Sequence, residues 1–123
     1  MNEISPQVQN QLAQLQQVQQ QAQALSSQKS QMEMVLKEVE MALEEIEKLD
    51  ESSVMYRNIG ELFIKSDKQE VSTDLSEKKE TFELRLKTLE RQEERIQKRF
   101  QQLQQQIREA IGGSSGGEQF QAQ

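Results

Sequence analysis

The chain has 123 residues, of which 33% are hydrophobic and only 4% aromatic, and its formal net charge is −6. With no cysteine and no histidine, a disulfide framework, a thiolate nucleophile and the commonest neutral-pH base are all excluded. An acidic chain is also poorly suited to gripping phosphate backbones over a broad surface.

No apolar run approaches the ~18 residues that a membrane-spanning helix needs. Residues 1–11 lack a basic stretch followed by an apolar one. A soluble, cytoplasmic protein without a secretory leader is therefore the expectation.

Pro6, the only proline, follows Ser5. Serine as N-cap with proline at the first helical position is a favoured helix start. From there to Leu49 no Gly or Pro interrupts the chain, and a helix over residues 6–49 is predicted. Its apolar spacing is a heptad. One seam position reads Val8, Leu15, Ala22, Lys29, Leu36, Leu43, and the other Gln11, Val18, Leu25, Met32, Val39, Ile46. Only Gln11 and Lys29 are not apolar. A seam sustained this long specifies a coiled coil, since a disordered glutamine-rich tract would not keep register.

Asp50 to Ser53 break the pattern. Val54-Met55-Tyr56-Arg57-Asn58-Ile59 and Leu62-Phe63-Ile64-Lys65 then flank Gly60-Glu61. Two short β-prone runs around Gly-X predict a hairpin over 54–65 with a two-residue type II′ turn, Ile59 facing Leu62 and Arg57 facing Ile64. Asp67 followed by Glu70 fits a capping box. It opens a second helix over 68–111 that Gly112-Gly113 stops. Its seam holds Leu75, Phe82, Leu89, Ile96, Leu103, Ala110 at one position and Lys79, Leu86, Glu93, Phe100, Ile107 at the other. Each helix would be about 44 residues and roughly 65 Å long.

Two matched helices joined by a short segment should fold back on each other. The fold class is then mainly α: an antiparallel two-helix coiled coil with a β-hairpin at the bend, forming one domain over 1–111. Residues 112–123, rich in Gly, Ser and Gln, read as a flexible tail in which Phe120 is incidental. Aligning seam positions whose numbers sum to 118 sets Leu15 against Leu103, Val18 against Phe100, Met32 against Leu86 and Leu36 against Phe82. Lys29 and Glu93 fall in adjacent layers. On the outer faces Glu33–Lys37, Glu44–Lys48, Glu83–Lys87 and Glu94–Lys98 have the spacing of helix-surface ion pairs.

No catalytic constellation, nucleotide cradle or metal-ligand set is present, so no enzymatic activity, cofactor or metal is expected. Arg91, Arg95, Lys98 and Arg99 form a basic cluster, with Glu90, Glu93 and Glu94 interspersed to offset it. Two surfaces remain. The hairpin residues Val54, Met55, Tyr56, Ile59, Gly60, Leu62, Phe63 and Ile64 form an apolar two-stranded ribbon with unpaired edges, which pairing with other subunits would satisfy. Val8, Leu12, Leu15, Val18, Phe100, Leu103, Ile107, Ala110 and Ile111 cluster where both termini meet. There a two-helix seam leaves an apolar strip able to bind something.

Helix, β-hairpin and helix with matched arms resemble prefoldin. Val54 to Lys65 is similar to the hairpin of its β-class subunits, and Leu86-Lys87-Thr88-Leu89-Glu90-Arg91-Gln92-Glu93-Glu94 to their second helix. The likeness covers about Ser5 to Ile111; the single hairpin points to a β-class rather than an α-class subunit, and the absence of eukaryote-like insertions to an archaeal one. The resemblance implies a hexamer of two α and four β subunits whose hairpins join an intersubunit β-barrel. It further implies ATP-independent capture of unfolded client proteins at the coiled-coil tips and their delivery to a group II chaperonin. Under it, residues 54–65 are assembly residues and the terminal apolar residues contact clients. A structural tether or adaptor with defined protein partners would share the helices, but would not need the apolar hairpin.

Charges inside a seam fix register at the expense of stability. Replacing Lys29 and Glu93 together with Leu should raise the midpoint of thermal unfolding; a lower midpoint would contradict their placement in the seam.

Overall fold

A computed structural model describes residues 4–112. Four elements follow in order: α1 (Pro6–Glu47), β1 (Met55–Ile59), β2 (Leu62–Ser66) and α2 (Lys68–Ile111). The expected tail lies outside the described residues from Gly113 onward.

The helix starts are built as the sequence predicts, with one change. Ser5 Oγ accepts a hydrogen bond from the Val8 amide at 3.2 Å. This satisfies a donor with no partner inside the helix. At α2, Asp67 Oδ1 accepts from the Glu70 amide at 2.8 Å. The reciprocal half of the capping box is replaced: Glu70 Oε2 accepts instead from the Ser66 hydroxyl at 2.8 Å. Helix α1 ends two residues earlier than expected. The amides of Lys48 and Leu49 reach back only three residues, to Glu45 and Ile46, at 3.2 and 3.0 Å. This tightened last turn leaves the α-helical ladder. Asp50 then closes a turn by accepting from the Ser52 amide and hydroxyl at 3.2 and 3.1 Å.

The strands pair antiparallel, Met55 with Ser66, Tyr56 with Lys65, Arg57 with Ile64, Asn58 with Phe63 and Ile59 with Leu62. This is the expected register; only the strand bounds shift at the base, where Val54 falls outside β1 and Ser66 joins β2. Gly60 has φ of +60°, and no non-glycine residue among those described has a positive φ. A positive φ at the first turn residue with a negative one at Glu61 defines type II′ over type I′.

Every one of the twelve seam residues of α1 and the eleven of α2 is buried or half-buried. The helices form two compact units. The hairpin unit, Gln28–Leu89, contains both strands, the end of α1 and the start of α2. Here Lys79 Nζ meets Glu40 Oε2 at 3.8 Å, one position from Val39, the residue that the seam alignment sets opposite Lys79. Lys68 Nζ donates to the Leu49 carbonyl at 2.8 Å and to the Glu47 carbonyl at 3.5 Å. It thereby caps the end of α1 from the first residue of α2. Val39, Ile46 and Met55 form the buried apolar set of this unit.

The second, terminal unit, Met1–Ser27 and Glu90–Gln123, brings the start of α1 beside the end of α2. Val8, Val18 and Leu103 are buried here, Leu103 at 1% exposure.

The surface ion pairs depart from expectation. None of the four predicted Glu–Lys pairs forms. Lys48 instead reaches Glu45 at 3.5 Å, and Lys78 reaches Asp74 at 3.6 Å. Exposed pairs of this kind contribute well under ~1 kcal/mol. Side-chain entropy therefore decides which of them persist.

Two substitutions test this packing by urea denaturation. Leu103→Ala removes a fully buried side chain and should cost about 2–5 kcal/mol. Asp67→Ala removes a helix cap and should cost about 1 kcal/mol.

Candidate functional site: an apolar hairpin and a terminal apolar strip

Along a strand, side chains alternate between faces. In the hairpin, Met55, Arg57, Ile59, Leu62, Ile64 and Ser66 share one face, and Tyr56, Asn58, Phe63 and Lys65 the other. Burial on the first face fades from base to turn. Met55 is buried at 8%, Arg57 and Ser66 are half-buried, and Ile64, Ile59 and Leu62 are exposed at 41%, 49% and 64%. The second face is open throughout, with Tyr56 and Phe63 at 60% and 74%. Val54, just before β1, is also exposed.

Seven of the eight residues singled out from the sequence thus lie at the surface. Met55 differs from them: it is buried in the core of the hairpin unit, at the ribbon's base. The ribbon has only two strands, so each has an edge of unpaired backbone groups. Six exposed apolar side chains on so small a ribbon are far more than one chain can use.

The terminal strip is divided more sharply than the sequence suggests. Val8, Val18 and Leu103 are inside the helix pair, so in this structure they support the strip rather than line it. Leu15, Phe100, Ile107, Ala110 and Ile111 are half-buried, and Leu12 is exposed at 39%. Ile4, absent from the sequence-derived set, is exposed at 47%. Its carbonyl accepts from Gln9 Nε2 at 3.2 Å. Farther along α1, the small Ala22 leaves an open groove of about 550 Å³. Gln19 and Gln23 line it with Ile96, Gln97 and Phe100 of α2.

The architecture is shared with related chains. The sequence pattern described as Prefoldin subunit matches residues 9–114. The chain belongs to the prefoldin family. Members of this family are chaperone subunits. The prefoldin subunit beta of Methanococcoides burtonii is 60% identical over 95 residues, covering 77% of this chain and 81% of that one. The prefoldin subunit beta of Archaeoglobus fulgidus is 46% identical over 96 residues, 78% and 83% of the two chains. The crystal structure of the prefoldin beta subunit from Thermococcus strain KS-1 superposes with a TM-score of 0.83 at 42% identity. It spans 89% of this chain and 96% of that one. Over most of its length the chain is thus similar to archaeal prefoldin β subunits. Among the described residues, no helix is long and apolar enough to cross a membrane.

The two sides of the hairpin should respond differently to mutation. Met55→Ser should destabilise the isolated chain by about 2 kcal/mol or more. Phe63→Ser should change it by no more than about 0.5 kcal/mol. Thermal melts followed by circular dichroism separate the two; equal effects would contradict the assignment of Met55 to the core.

Proposed function

We propose that this chain is the β subunit of an ATP-independent holdase that works in the cytoplasm. Hairpins from several subunits close into a β-barrel, in a complex of two α and four β chains. Unfolded client proteins are held by the terminal units and passed to a group II chaperonin. The observation that carries this reading is the exposure of Val54, Tyr56, Ile59, Leu62, Phe63 and Ile64 around two unpaired strand edges. A neighbouring hairpin supplies backbone partners for the edge and apolar cover for the rings at once. The prefoldin family membership supports the same reading.

Capture follows from the terminal strip. A client with exposed apolar side chains gains by removing them from water against Ile4, Leu12, Leu15, Phe100, Ile107 and Ile111. Val8, Val18 and Leu103 act from beneath by holding the helices together. Each strip is small, so each contact is weak and reversible. Several strips on linked subunits supply avidity without any new contact. Release then needs no nucleotide, because rebinding at one strip competes with folding rather than with a chemical step.

Deleting residues 1–15 together with 104–123 tests the division of labour. The truncated chain, mixed with an α-class subunit, should still reach the mass of the full complex. It should no longer suppress aggregation of a denatured client. Retained suppression overturns the role given to the terminal strip. A chain that stays monomeric with and without the α-class subunit overturns the role given to the hairpin.

A further inference from the structure

Charge is divided unevenly between the two units. The hairpin unit, residues 28–89, carries fifteen carboxylates against ten cations, whereas the described residues of the terminal unit carry four against five. Within the terminal unit the separation is sharper still. Ile4 to Ser27 contains no charged residue, and Arg95 to Arg108 contains Arg95, Lys98, Arg99 and Arg108 with no carboxylate. Arg91, Arg95, Lys98 and Arg99 recur at the spacing of one helix face, and all four are exposed.

Glu90, Glu93 and Glu94 offset this face only in part, three carboxylates beside four cations, and none follows between Arg95 and Arg108. Glu93 is a half-buried seam residue. Glu94 is not paired with Lys98, and the ion pairs of Lys48 with Glu45, Lys78 with Asp74 and Lys79 with Glu40 all lie in the hairpin unit. The face continues into a shallow cleft of about 610 Å³ lined by Lys98, Gln101, Gln102, Gln105 and Gln106. Glutamine amides there offer donors to carboxylates and to extended backbone.

We infer that the Arg91–Arg95–Lys98–Arg99 ridge is a docking surface for acidic polypeptide segments, so that the terminal unit selects clients whose apolar stretches lie beside clusters of Asp or Glu. This deepens the client-capture reading and rests on it for the apolar half of the contact. The ridge spans nine residues of helix, a rise of roughly 12 Å, which matches an extended segment of about four residues. A segment that short feels mainly the local ridge, because charges beyond about 8–10 Å are screened. A long polyanion also meets the rest of a chain whose net charge is −6, which disfavours nucleic acid as the occupant.

The test uses the full chain in the assembly it forms in solution. Two unstructured peptides of identical apolar content are compared, one with four Glu flanking the apolar stretch and one with four Gln. A single-stranded oligonucleotide serves as a third probe. At about 50 mM salt the Glu peptide should bind about tenfold more tightly than the Gln peptide. That preference should vanish at about 500 mM salt. It should also vanish in the variant with Arg91→Gln, Arg95→Gln, Lys98→Gln and Arg99→Gln. Glutamine keeps the helix, so the Gln peptide should bind this variant as it binds the parent. Equal affinity for both peptides overturns the inference, as does a preference that survives in the variant. Tighter binding of the oligonucleotide than of the Glu peptide reassigns the ridge and overturns it too. Failure of the client-capture reading looks different: the Gln peptide does not bind at all, while the Glu peptide still binds through the ridge.

Discussion

Burial of one heptad seam against another is the interaction on which everything else depends. A two-helix assembly has no interior beyond that seam, so its side chains must supply most of the apolar burial that offsets ordering two helices of 42 and 44 residues. The outcome is visible residue by residue, since all twenty-three seam positions are at least half-buried, including the polar Gln11, Lys29, Lys79 and Glu93. Position in the repeat decides burial here more strongly than residue type does. Lys79 shows how a charge is accommodated at such a site: its stem lies along the seam while its ammonium reaches Glu40 at the edge.

The seam also dictates what is left over. Helices that satisfy each other along one stripe have nothing to offer a β-hairpin beyond its base, so Met55 is covered and Phe63 is not. The same shortage of cover applies at the chain termini, where Leu12 and Ile4 remain open. Exposed apolar surface in a chaperone subunit is thus not an accessory added to a finished core. It follows directly from choosing a two-helix core, which is too thin to hide everything the sequence contains.

Much of this was legible in the sequence because it rests on periodicity and on local backbone chemistry. The heptad fixed which side chains of α1 and α2 turn inward. Ser5-Pro6, Gly60-Glu61 and Asp67 marked three boundaries through capping and a positive φ, and the hairpin register followed from the two-residue turn. What was not legible depended on competition between near-equal partners. Glu70 could bond back to its cap or to Ser66. Lys48 could take Glu44 or Glu45. Spacing rules rank such choices too finely to decide them. In the candidate sites, alternation identified the apolar hairpin residues but not that Met55 lies inward, because burial of the ribbon's base depends on how it seats on the helices.

Lys68 bridges the two ends of the hairpin segment. By donating to the Leu49 carbonyl nineteen residues earlier in the chain, it pins the base of the hairpin segment as a closed loop. The cost of closing a loop rises only slowly with its length, so chain could be added or removed between these anchor points with little penalty to the rods. Subunits built on this plan are free to diversify their strands, in number or in length, without redesigning the helices that carry them.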